Sequence, residues 1–460
     1  MPAILTIGAV PSSAGAGPLS ARSWDSSPCS PSRSSVETYE RGDRIVASLA
    51  GALAAIAAYL AVVTLDPRFT GPAYGNDVWF EGDLPRIADE MTHRWAAHSR
   101  APVHPLFSLF ACAGVYAMRS LHMSPPHAIA ALIALGSACW TILLFLVVRA
   151  ITPSRGEAVL FTAVGATTAA ALFWMTVPET YVFGSATMLA ALWMLVLAER
   201  RTIPESWFVV VSAGTLAVTV TNWVAGLVVT AARWPWRRAL QISVNAFVLV
   251  VALWSVQRAI IPRADFFVGY SNEQRYLGRA ETGGPTRILT VLFAHAIVMP
   301  PVETIQKPGR GKVMSVQSAG LADGGALRRV ALAAWFALFG VGLYGWLRHF
   351  RGSRLLRATV IVAAAEVSLN LLYGTETFLY TLNLVPMLIV MAACGTRTRA
   401  RGVVSLLALT VLLCGAISNA HALIEGRHFF ASTLRPTDIV LSPPAPQPRS
   451  LVIASNKASS

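Results

Sequence analysis

Long apolar runs separated by short polar segments cover most of the sequence from residue 45 to residue 423. Many of these runs hold about 20 residues without a charged side chain, which is the length that a helix needs to cross a hydrocarbon core of about 30 Å. The apolar residues are continuous rather than alternating with polar ones, so the strands of a membrane β-barrel are not favoured. The pattern predicts an all-α polytopic integral membrane protein with about 9–12 transmembrane helices. The predicted apolar runs lie near residues 45–65, 127–148, 157–176, 179–198, 207–232, 239–261, 330–347, 358–373, 376–394 and 403–423.

The composition agrees with a membrane protein. Of the 460 residues, 55% are hydrophobic and 13% are charged, and this charged fraction is roughly half that of a usual soluble domain. A net charge of +14 could by itself indicate nucleic acid, but Lys and Arg also collect in the cytoplasmic loops of membrane proteins. No interleaved basic and aromatic patch favours nucleic acid, so no such partner is predicted. The five cysteines lack metal-ligand spacing, and neither a metal nor a cofactor is predicted.

The two ends of the chain are polar. Residues 1–43 are rich in Ser, Pro and Gly and lack apolar periodicity, so a disordered cytoplasmic tail is predicted. This start has neither the basic segment nor the apolar core of a cleaved signal peptide. Residues 424–460 are predicted to form a second polar tail, on the external side. The transmembrane domain is therefore expected at residues 44–423.

Basic clusters between the apolar runs should mark the cytoplasmic side. Strict alternation of every run would place several clusters outside, and this conflict disappears if three runs cross the membrane only partly. These are residues 104–121, residues 207–232 (predicted as a hairpin broken near Thr221-Asn222) and residues 286–303. Non-helical backbone at such depth is tolerated where protein or a watery cavity surrounds it. The basic clusters are Arg149 with Arg155, Arg200 with Arg201, Arg233 with Arg237 and Arg238, Arg348 to Arg357, and Arg397 to Arg401.

With these three partial spans, one orientation fits every basic cluster. The N-terminus is cytoplasmic, and residues 66–126 and 263–329 are external. The short turns VPETY and YGTE, between later spans, are external as well. Asp83, Glu179 and Glu376 are therefore predicted at the same membrane face.

One external stretch, GDLPRIADEMTHRWAAHSRAPVHPLF at residues 82–107, holds much of the charge outside the basic clusters. One interpretation is a solvated loop whose acids and arginines pair loosely. The other is a water-facing site, because charge near the outer ends of membrane helices is costly unless it is solvated or used. In that site a carboxylate could act as a base. Arginines could hold a phosphate, since the planar guanidinium donates two parallel hydrogen bonds.

Three further positions allow the same two interpretations. His104 of the VHPLF motif either starts a helix, with proline in its first turn, or helps to build the site. Glu179 and Glu376 each stand near the start of an apolar span, where a glutamate simply favours the helix dipole. Glu376, Tyr380 and Asn383 have the spacing of one helix face. Two such acids at one membrane face, beside a charged loop, favour a site.

The arrangement resembles the membrane glycosyltransferases of the GT-C class, which include the protein O-mannosyltransferases and the aminoarabinose transferases. The residues that carry the resemblance are Asp83 soon after the first span and the VHPLF motif about 20 positions further on. Arg86, Met91-Thr92 and Arg100 lie between them. The PETY and TETFLY motifs of the later spans are also similar to that group.

The resemblance implies a GT-C-like helical bundle with a catalytic carboxylate in the long first external loop. It implies inverting transfer of a sugar from a polyprenyl-phosphate donor to an acceptor hydroxyl of a lipid, glycan or protein. The reaction would take place at the outer face of a bacterial plasma membrane. Lys307, Arg310 and Lys312 are further candidate cations. The implied site residues are Asp83 as general base, with Arg86, Arg100, His104, Glu179, Glu376 and Tyr380 as substrate-binding residues.

The sequence departs from the family pattern at the catalytic acid. The paired Asp-Glu common in such loops is absent, because Asp83 is followed by Leu84-Pro85. Asp77 and Glu81 are therefore alternative bases. The large external C-terminal domain and the metal-binding acidic motifs of oligosaccharyltransferases are also missing.

Three other functions stay open on the sequence. The first is a multi-pass transporter or lipid flippase, although transporters usually show internal repeats and charges at mid-membrane. The second is an acyltransferase or polymerase of envelope polysaccharide. The third is a glycosyltransferase-like scaffold without activity.

Overall fold

The computed structural model describes residues 33–67, 78–269, 276–278, 282–307 and 311–433, with side chains from residue 41 to residue 428. The chain divides at Gly42 into two units, and the packing given below concerns the second unit. The α-helices are α1 (Arg33–Val63), α2 (Leu84–Thr92), α3 (Phe107–Ser120), α4 (Pro125–Ile151), α5 (Arg155–Ala166), α6 (Ala169–Trp174), α7 (Tyr181–Arg200), α8 (Glu205–Val218), α9 (Trp223–Arg233), α10 (Trp236–Ile260), α11 (Pro285–Thr290), α12 (Ala326–His349), α13 (Arg354–Leu372), α14 (Thr381–Ala393), α15 (Arg401–Thr410) and α16 (Ala416–Thr433).

Four short helical segments adjoin these helices, and two strands form a hairpin. Turns of π-helix continue α11 at Val291–His295 and join α15 to α16 at Val411–Gly415. Turns of 3-10 helix precede and follow α14. Strands β1 (Glu303–Lys307) and β2 (Gly311–Ser315) pair in antiparallel register. No apolar pattern in the sequence predicts this hairpin, because its burial does not alternate cleanly.

The protein is an all-α polytopic membrane protein, as predicted. In the described part of the chain, eight helical segments are long and apolar enough to cross a bilayer. Two shorter apolar helices, α8 and α9, account for a further apolar run. The eight segments are residues 41–63, 125–151, 181–200, 236–260, 326–349, 354–372, 377–397 and 401–428.

Helix α14 lies at the centre of the bundle, and all of its residues are buried. A helix that is apolar all round is expected in such an interior position. Small residues let its neighbours approach closely: a Cβ at Gly342 of α12 would lie 2.5 Å from the Cα of Ala392. Backbone contact at small residues is the usual way in which helices pack inside a membrane.

Ion pairs join the helix termini at one end of the bundle, here called the basic end. Asp43 in α1 pairs with Arg149 at 3.1 Å and with Arg155 at 2.7 Å. Glu157, which also closes a capping box at the start of α5, pairs with Arg401 at 2.5 Å. The predicted clusters around residues 149–155 and 397–401 therefore lie at the same end.

The run 207–232 is a broken helical hairpin, which confirms the prediction. Helices α8 and α9 are separated at residues 219–222, and Glu205, the first residue of α8, pairs with Arg238 of α10 at 2.6 Å. Its turn lies at the opposite end of the bundle, here called the site end. There the N–H of Val220 donates to the carbonyl of Val103 at 3.0 Å, so the turn packs against the segment that precedes α3.

The run 104–121 forms only the 14-residue helix α3, which is too short for a full crossing. The carboxamide of Gln257, at the end of α10, accepts the N–H of Leu109 at 3.0 Å and donates to the carbonyl of Pro105 at 2.8 Å. The other end of α3 leads directly into α4. The first residues of α4 lie close to Val62, near the end of α1. Helix α3 therefore begins and ends at the site end.

The run 286–303 enters the bundle and becomes non-helical at residues 296–299, which are fully buried. Protein groups satisfy this backbone: Ile297 O accepts from Ala169 N at 3.0 Å and from Asn419 Nδ2 at 2.8 Å. Asn419 Oδ1 in turn accepts the N–H of Met299 at 2.8 Å. The same contact divides the run 157–176, predicted as one span, into α5 and α6, because the free amides at the start of α6 bind this segment.

The predicted tails differ from the structure in their bounds. Helix α1 begins at Arg33, inside the segment 1–43 that was expected to be disordered, and α16 continues to Thr433. Residues 1–32 and 434–460 lie outside the described part of the chain.

Candidate functional site

Asp83 stands at the start of α2 with its carboxylate held between two arginines. Oδ1 lies 2.9 Å from Arg86 Nη1, and Oδ2 lies 2.9 Å from Arg100 Nε. The carboxylate does not cap its own helix, and its side chain is 12% exposed. The structure therefore brings together three residues that the sequence analysis assigned to a site: Asp83, Arg86 and Arg100. Two guanidinium forks on one carboxylate make a cationic group that a phosphate could also engage.

Glu179 lies beneath Asp83 and holds its backbone. Glu179 Oε1 accepts the N–H of Asp83 at 2.7 Å, and Oε2 accepts the N–H of Thr180 at 2.9 Å. The side chain is fully buried, and burial together with the nearby Asp83 charge raises the pKa of Glu179 to about 8. The protonated form of Glu179 is therefore favoured, which limits the negative charge beside Asp83.

His104 joins the charged stretch to the turn between α8 and α9. Its Nδ1 lies 2.8 Å from the carbonyl oxygen of Val218, and its Nε2 lies 3.4 Å from the hydroxyl of Thr180. Burial, with the Arg100 charge second, lowers the pKa of His104 to about 4. The ring is therefore neutral at pH 7, and its Nδ1–H donates to the Val218 carbonyl.

Glu376 belongs to a second polar group at the same end. Its Oε2 accepts the hydroxyl of Ser315 at 2.5 Å, and burial raises the pKa of Glu376 to about 7. Lys307 of β1 lies within electrostatic range of Glu376 and forms an ion pair with Glu81. Thr375 donates its hydroxyl to Glu81 as well. The two groups are adjacent because Glu81 and Asp83 flank a single glycine.

The backbone of this connection is strained. Phe80 and Glu81 have φ angles of 50° and 62°, in the left-handed region that non-glycine residues seldom adopt. The ion pair with Lys307 holds Glu81 in this conformation. Such strain is concentrated at functional sites, where the surrounding contacts over-determine it.

Tyr380 packs among aromatic rings. Its ring centroid lies 6.1 Å from that of Tyr181 and 5.9 Å from that of Tyr373. Asn383 instead forms a pair of amide hydrogen bonds with Asn222, at 3.3 and 3.4 Å. The prediction that Glu376, Tyr380 and Asn383 share one α-helical face is wrong, because residues 377–380 form a 3-10 turn.

Glu90 is a buried acid that the sequence analysis did not single out. It is 1% exposed on α2, and burial raises its pKa to about 7. Asp89, one residue earlier, is exposed and pairs with His93 at 2.7 Å. The periodicity of α2 could have separated them, since Glu90 stands three residues after Ile87 and next to Met91, both of which are buried.

A cavity of about 700 Å³ opens beside the Asp83 group. The end of α1, helix α2, the start of α4 and the residue before Glu179 surround it, and its surface is mostly apolar. Arg86 stands in its wall while also pairing with Asp83, so the cavity reaches the charged group directly. Among the lining residues are Val62, Pro85, Arg86, Asp89, Ile129 and Pro178.

The alternative bases have different surroundings. Glu81 forms an ion pair with Lys307 and accepts a hydrogen bond from Thr375. Asp77, the other alternative base, and the candidate cation Arg310 lie outside the described residues. In the part of the chain that the structure describes, no three His, Cys, Asp or Glu side chains are grouped to hold a metal ion.

No protein-family model matches the sequence. A search of curated proteins also found no match.

Proposed function

We propose that the protein is a GT-C-type glycosyltransferase that transfers a sugar from a polyprenyl-phosphate donor to an acceptor hydroxyl. The observation that carries the proposal is the carboxylate of Asp83 between Arg86 and Arg100, at the edge of a mostly apolar cavity. A base, a pair of phosphate-binding cations and an apolar space are the three parts that such a reaction needs. The sugar and the acceptor are left unassigned.

In the proposed reaction the donor phosphate competes with Asp83 for the two arginines. The guanidinium of Arg86, which faces the cavity, turns from carboxylate to phosphate, and Asp83 loses an ion-pair partner. Asp83 then takes the proton of the acceptor hydroxyl, whose oxygen bonds to the anomeric carbon. The bond from that carbon to the phosphate oxygen breaks, and its electron pair leaves with the lipid phosphate. General-base catalysis of this kind contributes about 10²–10⁴-fold, and the arginines stabilise the leaving charge.

The other predicted residues take supporting positions in this mechanism. Neutral Glu179 fixes the backbone of Asp83, and neutral His104 fixes the loop that carries Arg100 to the turn of the α8–α9 hairpin. We assign sugar contacts to Glu376 and Tyr380, which lie at the same end of the bundle. Lys307 is a further cation at that end.

The orientation in the membrane is part of the proposal. Arginines are concentrated at the basic end, and Lys and Arg favour the cytoplasmic side. The N-terminus is then cytoplasmic, and the Asp83 group faces outwards from a bacterial plasma membrane. Lipid-linked sugars would reach the cavity from the bilayer.

One observation favours a transporter or flippase as the second candidate. Glu366 of α13 is buried inside a predicted crossing, and its Oε2 has no hydrogen-bond partner among the described residues. Asn370, one turn later, has an unpartnered Oδ1. Buried acids within membrane helices often mark ion or proton pathways.

The test is sugar transfer in membranes that contain equal amounts of wild type, Asp83→Asn or Asp265→Asn. Radiolabelled polyprenyl-phosphate sugars serve as donors. Asp83→Asn should lower transfer by about 100-fold or more, since the base is lost. Asp265→Asn is the matched control, because Asp265 is an exposed aspartate after α10, outside the lining of the cavity, and this variant should keep activity.

The opposite results are equally informative. Full activity of Asp83→Asn would exclude it as the base and leave Glu81 or Asp77. If wild type transfers no sugar from any donor, but moves a polar solute across vesicles in a way that Glu366→Gln abolishes, the transporter is correct.

A further inference from the structure

Arg328 is a buried cation, and three of its five N–H donors lack a partner among the described residues. It lies in the first turn of α12 and is 2% exposed. Nη1 donates to the carbonyl oxygens of Leu321, at 2.7 Å, and of Asp323. Nε and Nη2 have no hydrogen-bond partner among the residues that the structure describes.

The unused atoms form one edge of the guanidinium. Nε–H and Nη2–H point in parallel, which is the geometry that binds two oxygens of a phosphate or carboxylate. The nearest acid does not supply them, since Asp323 Oδ2 accepts the N–H of Gly320 at 2.6 Å. A buried cation without a compensating anion costs free energy, so a bound anion would stabilise this arrangement.

The surroundings also favour negative charge. Gly325 caps α12 without a side-chain hydrogen bond, so the first backbone amides of this helix are open to a ligand at its positive end. His295 lies near Arg328 beneath the loop, and its buried ring nitrogens have no hydrogen-bond partner among the described residues. The loop above is exposed from Leu321 onwards, and Gly324 adopts a φ of 96°. The unpartnered edge of the guanidinium is itself buried, so an anion would reach it through this exposed loop.

Apolar side chains indicate where the anion comes from. Leu321, Leu327 and Val330 surround Arg328 in the sequence and are 49%, 47% and 49% exposed. Helix α12 is a predicted crossing, so these side chains stand where it leaves the bilayer. Hydrocarbon chains could cover them while a phosphate lies above at the level of the lipid headgroups.

We propose that Arg328 and the first turn of α12 bind the phosphate group of a membrane lipid. The site is separate from the Asp83 group and does not depend on the proposed glycosyl transfer. It would anchor the start of α12 and the loop 316–325, which carries Gln317. The N–H of Thr377, next to Glu376, donates to the carboxamide of Gln317 at 3.0 Å.

The test measures lipid binding to the full chain in detergent micelles by native mass spectrometry. Phosphatidate is the probe, and diacylglycerol, which has similar chains but no phosphate, is the reference. Arg328→Lys keeps the charge but loses the fork, and should weaken phosphatidate binding by about tenfold or more. Arg328→Gln should weaken it at least as much. Arg329→Gln removes the adjacent exposed cation and should change binding by about twofold or less.

Two results would overturn the proposal. One is equal phosphatidate binding by wild type and both Arg328 variants, and the other is no preference of wild type for phosphatidate over diacylglycerol. Arg328-dependent binding of inorganic phosphate without lipid binding would support the anion site but overturn the lipid as its source. Melting curves identify any variant that fails to fold, and competition by inorganic phosphate on wild type tests the site without a substitution.

Discussion

At the scale of single residues, burial decides which acids carry a charge. Glu90, Glu179 and Glu376 are all buried, and in each case burial is the main cause that raises the pKa to about 7 or 8. Asp83 differs because two arginines surround it. The same short stretch therefore holds one acid paired with cations and another whose pKa burial raises to about 7. This separation of roles is what an acid–base site requires.

Replacing Glu90 by Gln should make folding less sensitive to pH. The unfolded chain releases this proton near pH 4.5 and the folded chain near pH 7. Between these values the folded state binds more protons, so stability falls as pH rises, by about 1.4 kcal/mol per unit at most. Above about pH 7 the loss is complete. The amide avoids this cost, and the advantage of Glu90→Gln should grow from pH 5 to pH 7 and then level off.

Melting temperatures in detergent at pH 5, 6, 7 and 8 measure this effect. Glu199→Gln is the control, because Glu199 is exposed at the end of α7 and its replacement should shift all four values alike. Parallel curves for wild type and Glu90→Gln would show that Glu90 carries no raised pKa in the folded protein.

At the scale of helices, the interrupted segments shape the site. The hairpin of α8 and α9 ends at the segment before α3, and the non-helical residues 296–299 occupy the gap between α5 and α6. The hairpin could be predicted from its length and from the arginines on both flanks. The gap between α5 and α6 was not predicted, because the run 157–176 has no charged residue after Glu157 and the residues that bind at the gap, Ile297 and Asn419, are far away in sequence.

Close packing inside the hairpin can be tested at its two glycines. A Cβ at Gly226 would lie 2.6 Å from Thr215 Oγ1 and 2.8 Å from Ser212 Cα, whereas a Cβ at Gly214 would meet nothing within 4 Å. Gly226→Ala should destabilise the protein by about 1–3 kcal/mol through overpacking. Gly214→Ala should be neutral or stabilise by up to about 1 kcal/mol, since it lies within a helix.

Chemical denaturation in mixed micelles compares the two variants with wild type. A Gly226→Ala protein as stable as Gly214→Ala would mean that α8 and α9 do not pack as closely as described. If the turn between α8 and α9 positions His104, as proposed, Gly226→Ala should also lower sugar transfer.

At the scale of the whole molecule, the two ends of the bundle have different chemistry. One end joins Asp43 and Glu157 to arginines from α4, α5 and α15. The other collects Asp83 and Glu376 with their partners from distant parts of the chain. Charge and span length were enough to predict which segments share an end. They could not predict which neighbours each acid has, because those depend on how the helices are arranged around α14.

The orientation of these ends can be measured with single cysteines. The chain first has its five cysteines replaced, and then receives either Ala322→Cys or Gly352→Cys. Both positions are exposed, Ala322 in the loop before α12 and Gly352 in the loop after it. A Cβ at position 352 meets nothing within 4 Å, so the substitution should leave the fold intact.

A membrane-impermeant maleimide applied to intact cells should label position 322 and leave position 352 unlabelled until the membrane is permeabilised. This result follows if the arginines of the basic end stay on the cytoplasmic side. Labelling of position 352 alone would reverse the orientation and place the Asp83 group in the cytoplasm, where a lipid-linked sugar facing outwards could not reach it. Labelling of both positions in intact cells would mean that α12 does not cross the membrane, which would contradict the two-ended arrangement itself.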